Sequence, residues 1–303
     1  MSATMLQLIQ QATAEMGVSV PTSIAGNTQQ DVVQELALLN AVGYEVQREH
    51  DWQKLIVEYI FNTTYTTTTG TLTDGSAVIT GIPSTTGLST AYQVVGVGVN
   101  NASYIESVDS GTQVTMTQAA TESGTGVAIT FAKVKYSFPS DFDRLIDRTD
   151  WDKTQHWEML GPETPQQWQW LKSGYISTGP RVRFRPLQGL FQIWPAISSV
   201  HSLGFEYVGN KWVYASGSTQ PDKTAFTVDT DTCVFPDRLM VLGLKKKYFE
   251  AKGFDTTALT RDYLMQLDVS KANDAGSPTL SFAPRVSSIL VGWENIPDSN
   301  YGS

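Results

Sequence analysis

Residues 66–81 read TTTTGTLTDGSAVITG. Small polar residues alternate here with apolar ones between glycines, and β-branched residues in such alternation predict short strands bounded by turns. The same texture extends from Thr64 to Ala132, a segment without Lys, Arg, His or Trp. We therefore expect residues 64–132 to form a self-contained β module inserted into a loop of a host domain. Insertions are tolerated at exposed loop tips, which favours an architectural protein over one built around a single pocket.

Two helices are predicted before the module. The first has apolar residues at helical spacing and Gly17 as its stop; these residues are Met5, Leu8, Ile9, Ala12 and Met16. The second is predicted to start at Thr28 as N-cap, with Asp31 as capping-box-like partner, and to run to about Trp52. A strand-like segment at 54–63 then leads into the module.

The host pattern resumes after the module with strands and then helices. Strands are predicted at 133–136, 181–185, 190–194 and 202–208, and a short helical stretch at 138–142. A helix is predicted to begin at Pro236 and end at Gly253, with a partner helix over about 256–272. Residues 276–303 are too sparse in apolar side chains to fold alone.

This pattern predicts an α+β fold: terminal α-helices packed as a helical bundle, a central mostly antiparallel β-sheet, and an inserted small all-β domain of the Ig-like sandwich type. The predicted segments are 1–63 (helices and first strand), 64–132 (module), 133–275 (sheet, then helical hairpin) and 276–303 (an extended C-terminal docking arm).

Composition limits the functions that the chain can have. The 303 residues are 41% hydrophobic and 17% charged, with a net charge of −9, which describes a folded acidic protein. Neutralising nucleic-acid phosphates requires clustered Lys and Arg, so the chain is not expected to bind DNA generally. No apolar run approaches the ~20 residues of a membrane helix. Cys233 is the only cysteine, which excludes an intrachain disulfide and a Cys-based zinc site.

Motifs of known enzyme classes are missing from the sequence, and we expect no catalytic residues, cofactor or metal. The three histidines (His50, His156, His201) share no local ligand spacing. Asp229 and Asp231 alternate in a way that suits Ca²⁺, but turn and cap roles fit better because further ligands are missing.

Aromatic and charged residues supply the candidate contact sites. Tryptophan is a preferred anchor of buried protein contacts, but it also fills cores, and both interpretations stay open for this group. The candidate interface residues are Trp151, Trp157, Trp168, Trp170 and Tyr301. Charges on helices are either solvated or face a channel or a neighbouring subunit. The candidates of this kind are Glu45, Glu49, Lys245, Lys246 and Lys247.

The host segments resemble a known family in order and spacing. They are AVGYEVQREHDW at 41–52, YSFPSDFDRL at 136–145, QQW at 166–168, FQIWPA at 191–196, FEY at 205–207, DTDT at 229–232, PDRL at 236–239 and AKG at 251–253. In this order they are similar to the head-to-tail adaptor proteins of short-tailed bacteriophages, often called tail tubular protein A. The resemblance covers most of 1–63 and 133–275. The module departs from it and looks like the Ig-like or decoration-type β repeats of phage structural proteins.

The resemblance implies a structural virion protein of the tail and neck, assembled in the host cytoplasm. Twelve copies would form a ring beneath the portal protein, continue its DNA channel, and carry the tail nozzle and fibres. Viral DNA would pass through without specific binding, which agrees with the acidic composition. The alternative is a virion-associated glycan hydrolase whose insert binds carbohydrate, with a carboxylate pair drawn from Asp141, Asp143, Asp150 and Asp152.

Overall fold

The computed structural model describes residues 2–175, 178–179 and 181–274. This part of the chain is a mixed α+β protein with five α-helices and several antiparallel sheets. It divides into two compact units: a helical unit of residues 2–57, 141–144 and 207–274, and a β-rich unit of residues 58–140 and 145–206. The predicted docking arm at 276–303, with Tyr301, lies outside the described residues.

The helices are α1 (Met5–Met16), α2 (Gln30–Glu49), α3 (Pro165–Lys172), α4 (Asp237–Lys252) and α5 (Thr257–Asp274). All except α3 belong to the helical unit. There α4 packs against α1, α2 and α5, because a single amphipathic helix cannot bury its apolar stripe without a partner. Helices from the two ends of the chain thus contact each other, as the sequence predicted.

The predicted ends of α1 and α4 are confirmed. Gly17 and Gly253 follow the two helices at φ +72° and +79°, the left-handed conformation that glycine adopts without a Cβ penalty. Thr4 and Gln7 form a reciprocal capping box at the start of α1. Pro236 occupies the N-cap of α4.

The predicted start of α2 is wrong. The helix begins at Gln30, and Gln29 at its N-cap makes no side-chain capping bond. The side chain that closes this turn belongs to Asn27, whose Oδ1 accepts a hydrogen bond from the Gln29 N–H at 2.9 Å. An Asx turn therefore takes the place of the predicted Thr28 cap.

Two glycines allow close packing in the helical unit. A Cβ on Gly43 of α2 would lie 2.1 Å from Cη2 of Trp212, and one on Gly243 of α4 would lie 2.5 Å from Val42. Trp212 is fully buried and stacks on Phe235 with ring centroids 5.6 Å apart. The close approach of the helices and the position of the Trp212 indole therefore depend on Gly43 and Gly243 having no side chain.

A 3₁₀ turn at Gln53–Leu55 precedes the strands. The strands are β1 (Ile56–Asn62), β2 (Tyr65–Leu72), β3 (Val78–Ile79), β4 (Tyr92–Gly96), β5 (Ile105–Ser110), β6 (Gln113–Met116), β7 (Gly124–Lys133), β8 (Lys135–Ser137), β9 (Phe142–Leu145), β10 (Trp151–Asp152), β11 (Trp157–Glu158), β12 (Arg183–Leu187), β13 (Leu190–Trp194), β14 (Ser202–Gly209), β15 (Val213–Tyr214) and β16 (Thr232–Cys233). Host sheets have the orders β1-β14-β10-β11, with β9 also on β14, and β12-β13-β8; β15 pairs with β16. The strands predicted near 181–185, 190–194 and 202–208 are confirmed as β12, β13 and β14.

The short helix predicted at 138–142 is wrong, because residues 138–141 form a loop that ends in a turn and β9 begins at Phe142. Asp141 fixes the turn just before this strand. Its carbonyl oxygen accepts a hydrogen bond from Asn210 N–H at 2.8 Å, and its carboxylate accepts one from the Tyr207 hydroxyl at 2.9 Å. These long-range bonds override the local Pro-Ser-Asp helix-start signal.

Residues 64–132 are all described and contain strands but no helix. They form two three-stranded antiparallel sheets, of order β2-β7-β4 (with β7 running on to Lys133) and β3-β6-β5. Between them lies a cluster of buried side chains that all belong to this segment, among them Ile79, Val114 and Phe131. Tyr65 pairs with Ala132, so the two ends of the module lie side by side.

Candidate functional site

Helix α5 is apolar on two faces. Tyr263, Leu267 and Ser270, at spacing i, i+4 and i+7, are buried, and α5 packs on α4. A second face has spacing i, i+3, i+4, i+7, i+8 and i+11, which is one continuous helical face. Its residues are Arg261, Leu264, Met265, Asp268, Val269 and Ala272, and all are exposed.

Three large side chains on this second face are exposed in the helical unit: Leu264 by 50%, Met265 by 61% and Val269 by 53%. Scattered apolar side chains are normal on a surface, whereas a contiguous apolar helix face indicates a protein contact. We call Leu264, Met265 and Val269 the α5 patch. The patch could not be predicted from the sequence, because both faces of α5 carry apolar residues and no local signal shows which face is covered.

The three consecutive lysines of α4 are all half-buried and ion-paired within the chain. Successive helical residues are ~100° apart, so the three lysines point in different directions. Two of them pair with other helices, and the third pairs within α4. Lys245 Nζ lies 2.8 Å from Glu15 of α1, Lys246 Nζ lies 3.6 Å from Glu250 of α4, and Lys247 Nζ lies 2.6 Å from Glu45 of α2. Glu49 is paired as well, with Lys271 of α5 at 3.3 Å. Each candidate channel-facing charge therefore already has an intrachain partner.

The four tryptophans at 151–170 differ in environment. Trp168 is 1% exposed and packs with Leu171 and Trp194, so it belongs to the core. Trp170 is 52% exposed, Trp157 is 41% exposed, and Trp151 is half-buried. Exposed indoles are available for a partner; Trp168 is not.

Helix α3, which was not predicted, explains why Trp168 is buried and Trp170 is exposed. Thr164 and Gln167 form a capping box around Pro165 at the first helical position, and this Thr-Pro-x-Gln sequence is a helix-start signal visible in the sequence. The helix buries Trp168 and Leu171 at spacing i, i+3. Its other side carries Trp170.

A cleft of about 290 Å³ lies in the β-rich unit. Its lining includes Asp152 of β10, Trp157 and Glu158 of β11, Arg181 and His201. The Arg181 guanidinium lies 6.0 Å from the centroid of the Trp157 ring, at the outer limit of a cation–π contact. Glu158 was not among the sequence candidates, because nothing in its local sequence indicates a cleft.

Asp152 has few acceptor sites left for a ligand. Its Oδ2 lies 2.6 Å from His201 Nδ1, and its Oδ1 accepts backbone hydrogen bonds from Thr154 at 3.0 Å and Gln155 at 3.1 Å. The carboxylate therefore holds the turn after β10 and orients the imidazole. This is a structural arrangement that also places an Asp–His pair at the cleft wall.

The other three candidate carboxylates do not line this cleft. Asp141 and Asp143 belong to the helical unit, and Asp143 pairs with Arg48 at 3.0 Å and Arg144 at 2.8 Å. Asp150 is 3% exposed, and its Oδ1 has no hydrogen-bond partner among the described residues. Burial, with a smaller contribution from Asp147, raises the pKa of Asp150 to about 7.

No group of three or more His, Cys, Asp or Glu side chains in the described ranges could hold a metal ion. The Asp231 side chain holds a turn, as predicted, whereas the Asp229 side chain binds the distant loop between α1 and α2. Asp229 Oδ1 accepts the backbone N–H of Ala25 at 2.7 Å, while Asp231 accepts that of Val228 at 2.9 Å and pairs with Lys223 at 2.8 Å. Burial raises the pKa of the Cys233 thiol to about 12, which keeps it protonated.

No helix in the described part of the chain is long and apolar enough to cross a membrane. Comparison of the sequence with protein-family models and with curated proteins gives no match.

Proposed function

We propose that this chain is a structural virion protein, the ring-forming head-to-tail adaptor of a short-tailed phage. Twelve copies would bind the portal protein, carry the nozzle and fibres, and let DNA pass. The proposal starts from the order of the host motifs in the sequence. The α5 patch is the structural observation that carries it.

The α5 patch supports self-association. Complete burial of a Leu, Met or Val side chain contributes about 1.5–3 kcal/mol; each of these three is roughly half exposed, so covering them contributes about 1 kcal/mol each. The occupant we propose is a second copy of this chain. Arg261 lies beside the patch and Asp268 lies on the same face, so these opposite charges can pair between two copies although the chain has a net charge of −9.

A closed ring needs two different complementary surfaces on each chain, because its contacts are heterologous. The β-rich unit carries exposed aromatic residues of its own, Trp170 at 52% and Tyr175 at 84%. Aromatic side chains are preferred at the centres of protein contacts. Each unit therefore has a surface suited to an assembly contact.

The charges of the helical unit support passage of DNA without binding. Phosphate contacts need free Lys and Arg side chains, whereas Lys245, Lys246 and Lys247 are all paired with carboxylates. A lumen built from such surfaces would have few free cations.

Two finer features of the fold belong to the same proposal. We propose that residues 64–132 are an Ig-like sandwich, supported by the two antiparallel sheets and the core they enclose. We propose that α1, α2, α4 and α5 act as a helical bundle, supported by the packing of α4 against the other three.

The test compares two triple variants by native mass spectrometry. In the first, Leu264, Met265 and Val269 are replaced by Ser, which should convert the ring to smaller species. In the control, three exposed valines of the module, Val95, Val97 and Val108, are replaced by Ser, and the ring should persist. Equal assembly of the two variants would show that the α5 patch is not an assembly contact.

A virion glycan hydrolase remains a second candidate, favoured by the cleft with Asp152, Glu158 and the exposed Trp157. Hydrolysis needs two carboxyl groups ~5–9.5 Å apart across the sugar, often with an aromatic platform. The test is release of reducing ends from host envelope glycans by the protein and by the variants Asp152→Ala and Glu158→Ala. Activity that both substitutions abolish would support the hydrolase, and inactivity of the unaltered protein would remove it.

A further inference from the structure

A second cavity lies entirely in the helical unit and shares no residue with the α5 patch. It measures about 650 Å³ and is lined by residues of the loop between α1 and α2, the first turns of α2, and Tyr248 of α4. Val18, Val20, Pro21 and Val32 contribute apolar walls, and Asp31 and Glu35 of α2 contribute carboxylates. The cavity is thus amphipathic and acidic.

The loop that forms one wall is held in place at two points. Gln10 of α1 donates from Nε2 to the Pro21 carbonyl oxygen at 2.9 Å. Asp229 Oδ1 accepts the backbone N–H groups of Ile24 at 3.1 Å and Ala25 at 2.7 Å. These hydrogen bonds pre-form the cavity, which reduces the ordering cost of binding.

Glu35 is the unusual residue of this cavity. It is 2% exposed, and its Oε2 has no hydrogen-bond partner in the described part of the chain. The nearby cation, Lys252, lies 3.4 Å from Asp31 and over the ring of Tyr248. Burial, reinforced by the charge of Asp31, raises the pKa of Glu35 to about 7. A buried carboxyl without a donor costs stability, so its retention in a pre-formed cavity points to a ligand.

We propose that this cavity binds an organic cation, a guanidinium or primary ammonium group, through the carboxylate of Glu35. Such a group supplies the N–H donors that Oε2 lacks and a positive charge nearer than that of Lys252, whose ion pair is with Asp31. Its methylene stem can lie along the valine and proline wall. A metal ion fits less well, because the cavity offers two carboxylates and Ca²⁺ takes six to eight oxygen ligands.

The cation can come from two sources with the same chemistry: a free alkyl guanidine or amine, or a Lys or Arg side chain of a second protein chain. The first source requires that the isolated protein bind a small probe. The second requires that Glu35 lie against a basic side chain in the assembled state. Neither requirement depends on the number of copies in the ring.

The free-ligand arm is calorimetric titration at pH 7.5 with butylguanidinium and with its neutral isostere butylurea. We expect butylguanidinium to bind at least tenfold more tightly than butylurea, and Glu35→Gln to remove that preference. The control Asp74→Asn removes one carboxylate from an exposed turn of the module and should retain the preference. Because binding ionises Glu35, titration near pH 6.5 in two buffers of different ionisation enthalpy should also reveal proton release, a readout that needs no variant.

The partner arm uses carbodiimide cross-linking of the assembled full-length protein, followed by mass spectrometry. A Glu35–Lys cross-link between chains would assign the cation to a lysine of the partner. Where the partner residue is arginine, Glu35→Gln should weaken assembly at least tenfold while Asp74→Asn leaves it unchanged. The proposal would be overturned by negative results in both arms. In the first arm, butylguanidinium would bind no more tightly than butylurea and release no protons. In the second, no cross-link would form and Glu35→Gln would leave assembly unchanged.

Discussion

Replacement of Asp150 by Asn should change how the stability of the β-rich unit depends on pH. Asp150 is 3% exposed and lacks a hydrogen-bond partner for Oδ1, and its pKa rises from 3.8 to about 7 on folding. A group whose pKa is raised in the folded state contributes stability that is fully present below the unfolded value. That contribution is lost as the pH rises through the folded value.

The magnitude follows from the two pKa values. Each pH unit between the working pH and the folded pKa corresponds to about 1.4 kcal/mol. At pH 5.5 the neutral carboxyl of Asp150 therefore contributes about 2 kcal/mol that has vanished at pH 8.5. Asn cannot titrate, so the variant lacks this pH-dependent contribution. The free energy of unfolding of the unaltered protein, measured relative to Asp150→Asn, should fall by about 2 kcal/mol between the two pH values.

The assay is urea unfolding of both proteins at pH 5.5 and 8.5, followed by tryptophan fluorescence. With a denaturant slope of about 2 kcal/mol per molar, the expected change in relative midpoint is about 1 M urea. Asp74→Asn, at an exposed turn, is the matched control and should parallel the unaltered protein. If Asp150→Asn also ran parallel to it, within about 0.5 kcal/mol, the argument from burial would be refuted.

Three further outcomes are expected. Gly43→Val should lower the free energy of unfolding by about 3 kcal/mol through overpacking against Trp212. Gly111→Ala, where the added Cβ has open space, should change it by less than 1 kcal/mol, and equal effects of the two substitutions in thermal melts would contradict the packing argument. Thr164→Ala should cost about 1 kcal/mol by removing the α3 cap, and an unchanged urea midpoint would contradict this. Deletion of 64–132 should leave a host with unchanged helical circular dichroism and an unchanged number of copies in the ring, since the module's ends pair with each other. Aggregation of the deletant would count against insertion.

The parts of the fold that could be predicted are those whose signals are local. Gly17 and Gly253 mark helix ends through a left-handed conformation that few other residues adopt, and Pro236 marks a helix start because it lacks an N–H. Alternation identified β12, β13 and β14. Residues 138–142 could not be predicted, because hydrogen bonds from Tyr207 and Asn210 decide their conformation and both residues are distant in sequence. Helix α3 was predictable from the capping-box residues Thr164 and Gln167, whereas its aromatic residues fit a core and a contact surface equally well.

The candidate site was less accessible to sequence reasoning, because exposure is a tertiary property. Trp168 and Trp170 lie two residues apart and have opposite environments, which follows from the helix that carries them. The α5 patch resembles a buried stripe in sequence. Glu35 resembles any solvated helix glutamate, and its burial depends on residues distant in sequence, among them Tyr248 of the same cavity.

The mass of the assembled protein, alone and with the portal protein, tests the central claim most directly. The chain has a mass of 33.3 kDa, so a ring of twelve copies would have about 400 kDa and should add that mass to the portal. A single 33.3 kDa species that adds no mass to the portal at micromolar concentrations would contradict the adaptor account.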